Sequence, residues 1–151
     1  MQKLNLPKQV FRFKEEKEKT YIFDDFRKKY VVLTPEEWVR QNFLMYLVNE
    51  KNYPPSLIAV EAGLKLFKTL KRTDIVVYNK QGDPLLIIEC KSPEVGINEK
   101  VFDQIVRYNM ALQVNYLVVT NGMDHYCCQL DYEKQTYNFL KSIPNYTDIL
   151  T

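Results

Sequence analysis

Two apolar runs of strand length each carry one carboxylate. Arg72-Thr73-Asp74-Ile75-Val76-Val77-Tyr78 holds Asp74 near its start. Pro84-Leu85-Leu86-Ile87-Ile88-Glu89-Cys90-Lys91-Ser92 holds Glu89 near its end, with Lys91 two positions on. Strand side chains alternate between faces, so Glu89 and Lys91 share one face with Leu85 and Ile87, and Cys90 shares the other with Leu86 and Ile88. The intervening Asn79-Lys80-Gln81-Gly82-Asp83 reads as a hairpin turn. The strands are then antiparallel neighbours, and the two carboxylates meet at one end of the ribbon. Charge in an otherwise apolar run needs a partner, because burying it alone is costly. A divalent cation would serve. Asp74 and Glu89 would be hard oxygen ligands for Mg²⁺, or Mn²⁺ in its place, with Lys91 beside a metal-bound water. The same letters also fit a surface ion pair of Asp74 or Glu89 with Lys91 or Arg72.

Further along, Gln104 and Tyr108 lie four apart in a helical stretch and share a face. Taken alone they also read as a helix-boundary Gln and a core Tyr. Lys65, Lys68, Lys71 and Arg72 form a basic cluster beside the carboxylates. It suits phosphate contact and equally a solvated strand edge. His125, the single histidine, reads as a partly exposed residue at a strand start. Cys127 and Cys128 read as strand residues on opposite faces, and the 11 tyrosines chiefly as sheet packing.

The elements that must position these residues follow from period and punctuation. Residues 1–33 read as a β arm, with strands in 10–33 and the mixed-charge Lys14–Lys19 stretch as a solvated hairpin tip. Thr34-Pro35-Glu36-Glu37 is a helix start, with Thr34 as N-cap, Pro35 at N1 and Glu37 completing a capping box. Trp38, Phe43, Leu44, Tyr46 and Leu47 carry that helix to about Glu50, and Pro54-Pro55 stop it. Strands are expected at 57–61, broken or bulged at Gly63 with 64–67 as the candidate continuation, and at 73–78 and 84–90. A helix follows over 98–112, striped by Val101, Ile105, Tyr108 and Leu112. A strand at 114–120 and a hairpin of 124–130 with 135–140 close a core of 34–140, leaving 141–151 as a tail.

Length and composition set bounds. The 151 residues make one domain, with 46% apolar and 26% charged residues, an ordinary globular balance. A net charge of +2 excludes a globally basic nucleic-acid binder, so any such surface is local. Three cysteines without C-x-x-C spacing argue against zinc and for a reducing, cytoplasmic setting. No apolar run is long enough to span a membrane. No G-x-x-x-x-G-K-[ST] loop occurs, so motor activity is not expected of these residues.

Asp74, Glu89-Cys90-Lys91 and Gln104-x-x-x-Tyr108, set on an α-β-β-β-α-β order, resemble the PD-(D/E)XK nuclease superfamily. More closely, they resemble the amino-terminal nuclease domain of the R subunit of type I restriction enzymes. Leu33-Thr34-Pro35-Glu36-Glu37-Trp38-Val39-Arg40-Gln41 and Val119-Thr120-Asn121-Gly122 share that likeness, which covers roughly residues 20–145. It implies an α/β fold of restriction-endonuclease type: a mixed central sheet flanked by helices, with an amino-terminal β arm and a carboxy-terminal hairpin. It implies that Asp74, Glu89 and the Cys90 backbone carbonyl hold Mg²⁺, with Glu37 as a further metal residue from helix one. Lys91 would orient or help deprotonate the attacking water, while Gln104 and Tyr108 brace the site and touch the DNA backbone. Lys65, Lys71 and Arg72 are the candidates for DNA contact. The expected activity is Mg²⁺-dependent hydrolysis of DNA. Partners would be DNA and other restriction-modification subunits or a second copy of the chain. Binding by the isolated chain should be weak, salt-dependent and without sequence preference. The alternative is a catalytically silent module of the same fold that binds DNA or a partner.

Overall fold

The apolar run that ends on Glu89 lies in the middle of the main sheet. The computed structural model describes residues 1–61, 63–66 and 69–150, with 63–66 and 69–72 described as backbone alone. The elements are β1 (Phe13–Glu16), β2 (Lys19–Asp24), β3 (Lys29–Val32), α1 (Pro35–Glu50), β4 (Ile58–Val60), β5 (Gly63–Leu66), β6 (Thr69–Arg72), β7 (Ile75–Tyr78), β8 (Pro84–Cys90), α2 (Glu99–Met110), β9 (Tyr116–Thr120), β10 (His125–Asp131) and β11 (Thr136–Phe139). Six strands form one mixed sheet in the order β11-β10-β9-β8-β7-β4. Within it β8 and β9 are parallel, and the other neighbours are antiparallel. A parallel pair needs a long crossover, and α2 supplies it.

Alternation along the strands decides which helix each side chain meets. Ile75, Val77, Leu86, Ile88, Cys90, Val118 and Cys127 pack with Val39, Phe43, Leu44 and Leu47 of α1. Ile87, Leu117, Val119 and Cys128 pack on the opposite face with Phe102 and Val106 of α2. Both faces of the sheet are therefore covered, which is why β8 and β9 read as continuous apolar runs. Cys127 and Cys128 lie on opposite faces, as alternation requires, and all three cysteines are free and buried. No helix among the described residues is long and apolar enough to cross a membrane.

Three expectations shift. The charged stretch is strand as well as tip: Phe13–Glu16 pairs with Lys19–Ile22 around a turn at Lys17 and Glu18, both at positive φ. Lys14, Glu15 and Glu16 sit on a fully exposed edge strand, where each charge can stay in water. Over residues 141–150 the expected tail packs against the core, and residue 151 lies outside the described residues. Ile143, Tyr146 and Ile149 are buried on the α1 side of the core, and the Tyr53 hydroxyl donates to the Pro144 carbonyl at 2.9 Å. Three apolar residues spaced by three have too short a period to announce a helix, yet they cover the sheet. Thr34 caps α1 by accepting from the Glu37 N–H at 3.0 Å, while the Glu37 carboxylate turns to Arg27, Arg40 and Gln41.

The loop after β9 holds the end of the sheet against the amino terminus. Gly122 has φ +86°, and a Cβ built there would lie 2.8 Å from Leu4 Cδ2 and 3.0 Å from Val39 Cγ2. Its carbonyl accepts from the Asn5 N–H at 2.8 Å. Gly122→Ala combines backbone strain with overpacking, and should cost about 2 kcal/mol, read as a lowered melting temperature.

Candidate active site

The register that builds the sheet also builds the site. β7 pairs with β8 so that Ile75 faces Ile88 and Val76 faces Ile87. Continued by one residue, it sets Asp74 opposite Glu89. Parallel pairing of β8 with β9 puts Cys90 beside Thr120, and the Lys91 N–H donates to the Thr120 carbonyl at 2.8 Å, anchoring the backbone that carries Lys91. Glu36, Glu61, Thr73, Asp74, Glu89, Cys90 and Lys91 line one cavity of about 260 Å³. The structure thus brings Asp74, Glu89, Cys90 and Lys91 together.

Asp74 is held from two sides. Its Oδ2 accepts from the Cys90 backbone N–H at 2.8 Å, and its Oδ1 accepts from Arg40 Nη2 at 2.7 Å. Arg40 is buried in α1 and also donates to Glu37 Oε1 at 2.6 Å. Burial alone would lower its pKa, but Asp74 and Glu37 outweigh burial and raise it, so the guanidinium is permanently charged. Arg40 is a site residue that sequence reasoning missed. Its signal was the spacing: it stands three and four residues after Glu37 and Glu36, where helical ion pairs form.

Glu37, expected near the metal, is absent from the residues that line the cavity. It is buried and bonded to Arg27, Arg40 and Gln41. Its neighbour Glu36 reaches the cavity instead, and burial together with Asp74 raises its pKa. One residue along a helix is a rotation of about 100°, enough to exchange the two roles.

The Glu89 carboxyl is strongly perturbed. Burial and then the Asp74 carboxylate beside it push its pKa up to about 7, only partly offset by Lys91 and by a polar contact from Asn109. Asn109, on α2, is buried, and its Oδ1 has no hydrogen-bond partner among the described residues. It too was missed, although 102, 106 and 109 keep the spacing of a buried helix stripe. Gln104 and Tyr108 are one turn apart on the same helix, as expected, but both are exposed, Tyr108 by 50%, and neither is among the residues lining the cavity. The Gln104 and Tyr108 positions flank the buried stripe rather than belonging to it. The basic candidates Lys65, Lys68, Lys71 and Arg72 lie outside the described residues as far as their side chains are concerned.

Among the described residues, no three His, Cys, Asp or Glu side chains are grouped closely enough to hold a metal between them. The donor chemistry is that of a carboxylate pair. A carboxylate whose charge is disfavoured by burial and by a second carboxylate, as at Glu89, would gain from a cation between the two. Mg²⁺ in particular is often held by one or two carboxylates and keeps several waters. The residues present fit such an ion.

Residues 35–144 match the family described as type I restriction enzyme R protein N terminus. The fold is similar to that of a fragment of an HsdR subunit of a type I restriction enzyme from Vibrio vulnificus YJ016. The TM-score is 0.54 at 18% identity, over 78% of this chain and 24% of that one, so this chain spans about a quarter of its relative. No curated protein matches the chain. With the matched region spanning both helices, the whole six-stranded sheet and every residue of the carboxylate cavity, the chain belongs to the family of type I restriction enzyme R protein N termini.

Proposed function

We propose that this domain hydrolyses DNA phosphodiesters with a divalent cation, as a nuclease of the PD-(D/E)XK type within a restriction-modification system. The observation that carries this reading is the convergence of Asp74, Glu89 and Lys91 on one cavity, with the Glu89 pKa raised by burial and then by its acidic neighbour. Asp74 and Glu89 would hold Mg²⁺ or Mn²⁺, assisted by the Cys90 carbonyl. The cation would neutralise charge on the phosphate and favour in-line attack by water. Lys91, at the open end of β8, orients that water and stabilises the charge that develops on the phosphoryl oxygens. Other restriction-modification subunits would bring DNA to the domain and restrain it, since the net charge of +2 supports few phosphate contacts.

A specific observation favours a second reading. Both oxygens of Asp74 already accept hydrogen bonds from the protein, as they would in a silent module that keeps the fold. Plasmid DNA incubated with Mg²⁺ or Mn²⁺ separates the two. The parent chain is expected to nick or linearise it. Lys91→Met should lower the rate by roughly 10²–10⁴-fold while DNA retention in a gel shift stays the same. Binding without cleavage by the parent under both metals would favour the silent module and end the nuclease reading.

A further inference from the structure

The β arm precedes the region matched by the family, yet it reaches the site through a chain of ion pairs. Arg27, in the turn between β2 and β3, pairs with Asp24, with both oxygens of Glu37 at 2.8 Å, and with Glu61 at 2.9 Å. Glu37 in turn accepts from Arg40 Nη1 at 2.6 Å, and Arg40 Nη2 donates to Asp74 at 2.7 Å. Asp24, Glu37 and Arg40 are buried, and Arg27 is mostly so. Two guanidinium groups and two carboxylates thus alternate in a line from the arm to Asp74.

We propose that Arg27 and Arg40 are positioning residues that set the orientation of Asp74 for a divalent cation, so that the β arm is part of the site's support. Arg40 cannot choose its own place. Its Nε has no hydrogen-bond partner among the described residues, so its two terminal nitrogens fix the plane of the guanidinium between Glu37 and Asp74. Glu37 is in turn fixed by Arg27 and Gln41. A ligand carboxylate held by hydrogen bonds from a rigid second layer is aimed before the cation arrives, and losing such a partner commonly weakens metal binding by 10–100-fold. The planar fork is what the arrangement uses: two nitrogens of one rigid plane set the spacing between the two carboxylates, which a single freely rotating ammonium does not impose.

The proposal rests on the reading of Asp74 and Glu89 as a cation site, and the experiment separates the two. Mn²⁺ affinity is measured by titration calorimetry and by loss of the free Mn²⁺ electron paramagnetic resonance signal, at pH 8, for the parent chain, Arg40→Lys and Arg27→Lys. Both substitutions keep the charge and remove the fork. Arg40→Lys is expected to weaken Mn²⁺ binding by about 10-fold or more and Arg27→Lys by about 3-fold or more. A melt without metal identifies the folded variants, and Arg27, nearer the surface, supplies the test if Arg40→Lys does not fold. Parent-like affinity in a folded Arg27→Lys protein would overturn the role of the arm. Parent-like affinity in both would overturn the proposal as a whole and leave the cation site standing. Absence of Mn²⁺ binding by the parent would overturn the cation site itself.

Discussion

Glu89→Gln is expected to abolish metal-supported DNA cleavage while leaving the fold at least as stable as the parent, and more stable by up to about 2 kcal/mol at pH 8. In the parent at that pH, Glu89 is ionised against burial and against Asp74, and both oppose its charge. An amide of nearly the same shape removes the charge and keeps hydrogen-bonding capacity toward Asn109. The same change takes away one of two hard anionic oxygen donors, which an amide replaces poorly for Mg²⁺. The two readouts move in opposite directions, the mark of a group kept for chemistry rather than for stability. Thermal melts at pH 8, beside plasmid cleavage in Mg²⁺ and Mn²⁺, check this. A variant that unfolds near room temperature would show Glu89 to be a structural ion-pair partner of Lys91.

A second large effect concerns pH. The Glu89 carboxyl is raised from 4.5 to about 7 in the fold. Between those values the native state holds a proton that the unfolded chain has released, so stability falls as pH rises through the window. Below it this contribution is fully present, and above about 7 it is gone. From pH 5.5 to pH 8 the metal-free protein should lose about 2 kcal/mol from this group. The lower limit of 5.5 keeps carboxylates of ordinary pKa ionised throughout. Glu89→Gln should flatten the profile, and millimolar Mg²⁺ should flatten it for the parent by favouring the ionised carboxylate. Urea unfolding midpoints at the two pH values measure it. A parent profile rising from 5.5 to 8 would contradict the burial of Glu89 beside a second carboxylate.

The residues most legible in the sequence were those whose spacing and face are set by a strand. Asp74 and Glu89, near opposite ends of two runs joined by a short turn, had to meet once the hairpin formed, and alternation had to put Lys91 beside Glu89 and Cys90 behind it. Thr34-Pro35 announced α1 because its capping chemistry is local. Helix phase was less legible. Whether Glu36 or Glu37 enters the cavity depends on how α1 rotates against the sheet, and that rotation is set by Val39, Phe43 and Leu47 packing on strands distant in sequence. The same holds on α2, where Phe102 and Val106 turn Asn109 toward Glu89 and leave Gln104 and Tyr108 exposed. Least legible was the line from Arg27 through Glu37 and Arg40 to Asp74. Its members come from a turn, a helix and a strand start, and no local pattern links them. By itself the sequence determined the strands, the turn between them and the carboxylates that must converge, because those depend on periods of two residues and on neighbouring positions. Only the tertiary structure decided which charged groups surround them, because a buried ion-pair network is selected by packing that orients whole elements against one another.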